Sequence, residues 1–162
     1  MRLIYILILW PKHIGNQLLW AGPLLARIVV GYVFMLTGWG KLQHLDRVTQ
    51  YFGSLGIPAP EILTPLVSGW EFVGGALLIL GLMTRVSAGG LAVIMIVATL
   101  AAQADDIASL SDLLGLEEML YFALFTWLAI FGAGRVSIDA WIERRFAAIS
   151  CKRSRPPLRI PA

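Results

Sequence analysis

Two ionisable side chains stand inside long apolar stretches of this 162-residue chain, and they frame the chemistry open to it. Arg27 lies in the run Ala21–Gly40 and Glu71 in the run Ile62–Leu82. An ionisable group at membrane depth is expensive, so it turns into a helix bundle or finds a partner. Arg27, Gly31, Phe34, Gly38 and Lys41 recur at 4-3-4-3 spacing, which puts them on one helix face. Ser68, Glu71, Gly75 and Leu78 share a face in the same way. Counted at 1.5 Å per residue from the ends of their runs, Arg27 and Glu71 differ in depth by about 6–8 Å. An arginine side chain covers most of that gap, so an Arg27–Glu71 contact is expected. Such a pair has two readings. In the first it registers two helices and supplies no chemistry; in the second Glu71 faces a cavity and binds or protonates the polar end of a ligand. A third option for Arg27 is to snorkel to the headgroups, which is also the default for Lys41 and Arg85 at the ends of their runs. Trp70 and Trp127 lie nearer mid-run than an interfacial belt would place them. They read as bundle filler first and as an aromatic ligand wall second.

Other chemistries lack their residues. No catalytic residue and no metal ligand is assigned, because no Cys/His cluster has ligand spacing. The lone Cys151 makes neither an intramolecular disulfide nor a CxxC pair. His13 and His44 are expected on opposite membrane sides, which excludes a bis-histidine haem. No glycine-rich loop opens a nucleotide fold. A redox cofactor therefore has to be diffusible or held by a partner.

The elements that must position these residues are helices in a bilayer. Hydrophobic residues make up 58% of the chain and charged ones 14%, against about 45–50% and 25% in soluble domains. About 20 apolar residues span a bilayer core, and four stretches qualify: roughly Ala21–Gly40, Ile62–Leu82, Val86–Ala104 and Leu116–Gly134. Trp20 and Trp39 bracket the first at belt spacing. Between the first two spans, Leu45, Val48, Phe52 and Leu55 alternate with Asp46, Arg47 and Gln50, reading as a short interfacial helix ended by Gly56, Pro58 and Pro60. The expected fold is thus all-α: an integral membrane four-helix bundle with a short interfacial helix between the first and second spans. Small residues at Gly31, Gly38, Gly74, Gly75, Ala88, Ala92, Thr99 and Ala102 would let helix backbones approach closely.

Charge placement orients the bundle. With four spans, Arg2, Lys12, Arg85, Arg135, Arg144, Arg145, Lys152, Arg153, Arg155 and Arg159 fall on one side. Only Lys41 and Arg47 face them across the membrane, among seven acidic residues from Asp46 to Glu118. The positive-inside rule then puts both termini in the cytoplasm of a multi-pass inner-membrane protein. The net charge of +3 is accounted for by topology and anionic lipid, not nucleic acid. The Met1–Trp10 run is too short to span and reads as a retained interfacial segment, with a signal-peptide core after Arg2 as the alternative, against which stands the lack of a convincing small-residue cleavage site. Residues 1–20 form that segment, 21–142 the membrane domain and 143–162 a basic cytoplasmic tail, unstructured from Ser150.

Several local patterns, taken in order, resemble the DoxX family of small four-helix bacterial membrane proteins. They are Arg27-x3-Gly31-x6-Gly38-x2-Lys41-Leu42, Phe52-Gly-Ser-Leu-Gly-Ile-Pro58, Glu71-x2-Gly74-Gly75, Leu80-Gly-Leu-Met-Thr-Arg85 and Gly132-Ala-Gly-Arg-Val-Ser-Ile-Asp139. They run across roughly residues 22–142. The resemblance implies a four-helix bundle with Arg27, Lys41, Glu71 and Arg85 at the motif positions. It also implies association with quinones and membrane oxidoreductases, since the family takes its name from a subunit of a thiosulfate:quinone oxidoreductase. The expected function is a non-catalytic or quinone-interacting subunit of a membrane-associated oxidoreductase, with Arg27, Glu71 and Trp70 at a ligand site between the first two spans. The alternatives are an anchor or assembly factor recruiting a partner protein, and a lipophile-binding or transport bundle. Ligand, partner and oligomeric state are open at this level.

Overall fold

The computed structural model describes residues 15–102, 107 and 109–153, with side chains described through residue 147. Met1–Trp10, His13, Asp105, Asp106 and the chain after Arg153 lie outside the described residues, as does the Cys151 side chain. Among the described residues every regular element is a helix: α1 Ala21–Gln43, α2 Leu45–Ser54, α3 Pro60–Leu80, α4 Thr84–Ala102, α5 Leu110–Gly115, α6 Glu117–Phe131 and α7 Ile138–Arg153. Three of these, α1, α3 and α4, are long and apolar enough to cross a membrane. α6 has 15 residues, or about 22 Å of helix, so it stops short of the expected Leu116–Gly134 run. Gly132 at φ 80° and Gly134 at φ 76° turn the chain out of the helix there. At the other end Leu116 is extended and separates α6 from the short α5.

The core is made by α1, α3, α4 and α6. α1 packs mainly along α3, and α4 along α6, with α3 and α4 joining the two pairs. Phe34 sits at the junction, edge-on to Phe125 at 4.8 Å and to Tyr121 at 5.2 Å. Val30, Leu78, Ala88, Leu91, Ala92, Met95 and Leu128 complete the buried apolar cluster. Outward faces are as apolar as the core: Leu25, Val29, Leu66, Val73, Val93, Leu100 and Ile130 are all exposed. Water would not tolerate that surface, whereas hydrocarbon does. Trp20 and Trp39 are exposed at the two ends of α1, as belt residues should be.

Glycine sets the α1–α3 register. A Cβ on Gly75 would lie 2.6 Å from the Gly31 carbonyl oxygen, and one on Gly38 would lie 2.4 Å from the Phe72 nitrogen. The two antiparallel helices therefore touch backbone to backbone, with Gly31 opposite Gly75 and Gly38 opposite Glu71 and Phe72. The same register brings Arg27 level with Gly81, where an added Cβ would overlap its guanidinium.

At the Arg27 end a loop stitches three helices together. The Asp139 carboxylate accepts from the Met83 and Thr84 N–H groups at 2.8 and 3.0 Å, capping the start of α4. The Asp139 N–H donates back to the Gly81 carbonyl at 2.9 Å. Ser137 caps α7 by accepting from the Ala140 N–H at 3.1 Å. α7 then continues to Arg153, so the expectation of an unstructured end from Ser150 is corrected for residues 150–153. The reason is local: between Ser137 and Pro156 there is neither glycine nor proline to stop a helix. α2 forms as its pattern predicts, with Leu45, Val48, Phe52 and Leu55 half-buried and Asp46, Arg47 and Gln50 exposed.

Candidate functional site

The expected Arg27–Glu71 contact does not form. Glu71 is instead held by Lys41, whose Nζ donates to Glu71 Oε1 at 2.7 Å. Glu71 is 2% exposed and the Lys41 side chain 35%, so the pair sits where the bundle opens rather than at its dry centre. The reason is the glycine register. Arg27 lies level with Gly81, ten residues along α3 from Glu71, which is about 15 Å. Counting depth from the ends of the apolar runs assumed that α1 and α3 begin and end together. In fact α1 overruns the end of α3 by more than a turn. Lys41 shares the helix face of Arg27, so the pattern contained the right partner at the other end of its row.

Arg27 is nevertheless buried, at 1% exposure. Its Nη2 donates to the Val136 carbonyl and its Nε to the Pro23 carbonyl at 3.3 Å. Arg27 thus ties α1 to the loop before α7, while its Nη1 is buried without a hydrogen-bond partner.

At the Lys41 end a cavity of about 810 Å³ opens beside the ion pair. Its wall is mostly aliphatic and aromatic: Val48 and Phe52 of α2 and Leu55 just after it, Leu63, Val67 and Trp70 of α3, and Val93, Ile94 and Val97 of α4. Polar lining comes from Lys41, Arg47, Glu71 and Glu118. The expected place, between the first two spans, is closed by the Gly31–Gly75 contact, so the cavity lies on the other flank of α3, under α2 and against α4. Trp70 belongs to this wall. Its indole lies over Gly90, where a Cβ would come 2.2 Å from Nε1, and it remains 39% exposed. Gly90 therefore makes the room that turns Trp70 toward α4.

The remaining polar chemistry follows from this placement. Glu71 Oε2 is buried with no hydrogen-bond partner. One and two turns before it on the same face, the Ser68 and Thr64 hydroxyls are also buried and unpartnered. Residue spacing had marked Ser68, whereas Thr64, Arg47 and Glu118 carried no signal of their own. An ammonium has three donors, and Glu71 takes one from Lys41. The site thus offers a ligand free ammonium donors and a flat aromatic wall, beside a buried carboxylate oxygen without a partner. Arg85, the last of the motif residues, lies at the opposite end, exposed beside Gly132.

A family model described as DoxX matches residues 22–104, which covers α1 to α4. The inner membrane protein YqjF of Escherichia coli is 29% identical over 125 residues, 77% of this chain and 95% of that protein. "Putative oxidoreductase CatD" of Bacillus subtilis is 28% identical over 123 residues, 75% of this chain and 87% of that protein. The inner membrane protein YphA of Escherichia coli is 30% identical over 125 residues, 72% of this chain and 86% of that protein. No solved structure matches the chain.

Proposed function

The chain belongs to the DoxX family, and on that basis we propose that it is an inner-membrane protein binding a flat lipophilic ring ligand, of quinone type, in the cavity at the Lys41–Glu71 pair. The observation that carries this reading is the pairing of a mostly apolar cavity of about 810 Å³ with one buried ion pair at its wall. Ligand sites are commonly apolar with a few placed polar groups, at about 300–1,000 Å³. A quinone ring would lie against Trp70 and the aliphatic side chains of α4. One of its carbonyl oxygens would accept from the Lys41 ammonium. Glu71 would give or take a proton at that oxygen when the ring is reduced or reoxidised. Electrons would come from a partner subunit, so this chain is a non-catalytic member of an oxidoreductase assembly. The name of the Bacillus subtilis relative agrees with that setting.

In this reading α6 makes the fourth crossing, α2 lies in the outer interface, and both termini are cytoplasmic. Twelve of the fifteen α6 residues, all but Glu117, Glu118 and Thr126, supply the apolar length, and the basic residues supply the direction. The anchoring alternative has its own support in α7, where exposed Trp141 and Phe146 flank Arg144 and Arg145. Quinone binding separates the two. Purified protein in nanodiscs should bind a quinone analogue, and Glu71→Gln and Lys41→Met should each weaken it, while Arg27→Gln should not. No binding at high lipid-phase concentration would leave the anchoring role.

A further inference from the structure

A second large cavity, about 940 Å³, lies at the Arg27 end of the molecule, and the ligand site described above makes no use of it. Its wall brings together Arg85 from the start of α4, Arg135 from the loop after α6 and Arg144 from α7. Two carboxylates share that wall, Asp139 and Glu143. Asp139 is already committed, since both its oxygens accept backbone N–H groups. Three guanidinium groups are thus set against one uncommitted carboxylate. Among the described residues none of the three arginines makes an ion pair, and Arg144 Nη2 donates only to the Arg135 carbonyl at 2.7 Å.

The rim is a different surface. Trp20, Met83, Val86 and Phe131 border the cavity and are 43%, 55%, 54% and 66% exposed. They continue the lipid-facing sides of α1, α4 and α6. We propose that this cavity is a binding site for the phosphate-bearing headgroup of an anionic phospholipid, with the acyl chains lying on that apolar rim. Guanidinium groups suit phosphate oxygens because their planar N–H pairs bond bidentately and stay charged. The volume falls within the usual range of ligand sites, about 300–1,000 Å³. A soluble phosphate would use the arginines but leave the apolar rim without a partner, which is why a lipid is the better occupant. This proposal does not rest on the quinone reading, since it uses the opposite end of the bundle.

Full-length protein, purified with mixed lipid, tests it by native mass spectrometry and thermal unfolding. Phosphatidylglycerol should be retained over phosphatidylcholine by at least about tenfold, the scale expected for arginines at an anionic surface, and should raise the melting temperature. The combined Arg85→Gln, Arg135→Gln and Arg144→Gln variant should lose that preference while keeping parental helicity and lipid-free melting. Glu143→Gln, which removes the uncommitted carboxylate, should increase it and guards against loss through misfolding alone. Equal retention of the two lipids would overturn the proposal. So would full competition by millimolar inorganic phosphate, which would mark a soluble-anion site, or loss of the preference on deleting residues 154–162, which would mark the tail.

Discussion

Lys41, Glu71 and Arg27 show at residue scale how differently the charges of one bundle are held. Arg27 and Lys41 lie on one face of one helix, yet Arg27 is closed in by backbone carbonyls and Lys41 opens onto a cavity. This makes a double-mutant cycle decisive. Breaking a buried pair typically costs about 3–5 kcal/mol, whereas polar contacts within membranes average nearer 0.6 kcal/mol. For Lys41→Met and Glu71→Gln we expect a coupling between those limits, measured by unfolding in detergent. Arg27→Gln should lower stability but add independently to Glu71→Gln, because the two side chains share no partner. Coupling of Arg27 to Glu71 in place of Lys41 would contradict the register.

The contact between α1 and α3 governs the element scale. Helices in lipid gain nothing from hydrophobic burial, so they hold together by close packing of small residues. Gly31, Gly38 and Gly75 supply that contact. Gly75→Val should push α1 off α3 and lower the unfolding midpoint sharply, because its Cβ would meet the Gly31 carbonyl and the Met35 nitrogen, each at 2.6 Å. Gly69 is on the same helix with nothing within 4 Å of an added Cβ. Gly69→Ala should therefore be neutral or stabilise by up to about 1 kcal/mol. The same Gly75 substitution should also weaken quinone binding, because it displaces Lys41 from Glu71. Equal thermal shifts for Gly75→Val and Gly69→Ala would sink the glycine-contact account.

For the whole molecule, the open quantity is direction. Reporter fusions after Ala162 and within the Asp105–Asp112 segment should give opposite signals if α6 crosses the bilayer, with the C-terminal fusion reporting cytoplasm. Matching signals at both points would make α6 a helix that packs on α4 without crossing. A periplasmic signal after Ala162 would invert the molecule and place the arginine-lined cavity in the other leaflet.

Composition and periodicity were enough to read an all-helical membrane chain, the positions of its long apolar helices, the half-buried face of α2 and the packing role of the glycines. Each of these is a one-dimensional property: apolar length, helical spacing and the absence of a side chain. The partner of Glu71 was not legible in that way. It depends on the stagger of α1 against α3, and stagger is decided by which glycine backbones meet, a contact between residues 31 and 75 that no local pattern records. The flank of α3 on which the cavity opens was hidden for the same reason, since closing one side of a helix by backbone contact leaves room only on the other. Asp139 appeared in the sequence as the end of a motif. Only the fold brings it to Met83 and Thr84, where it satisfies the N–H groups that begin α4 and leaves Glu143 as the uncommitted carboxylate beside three arginines.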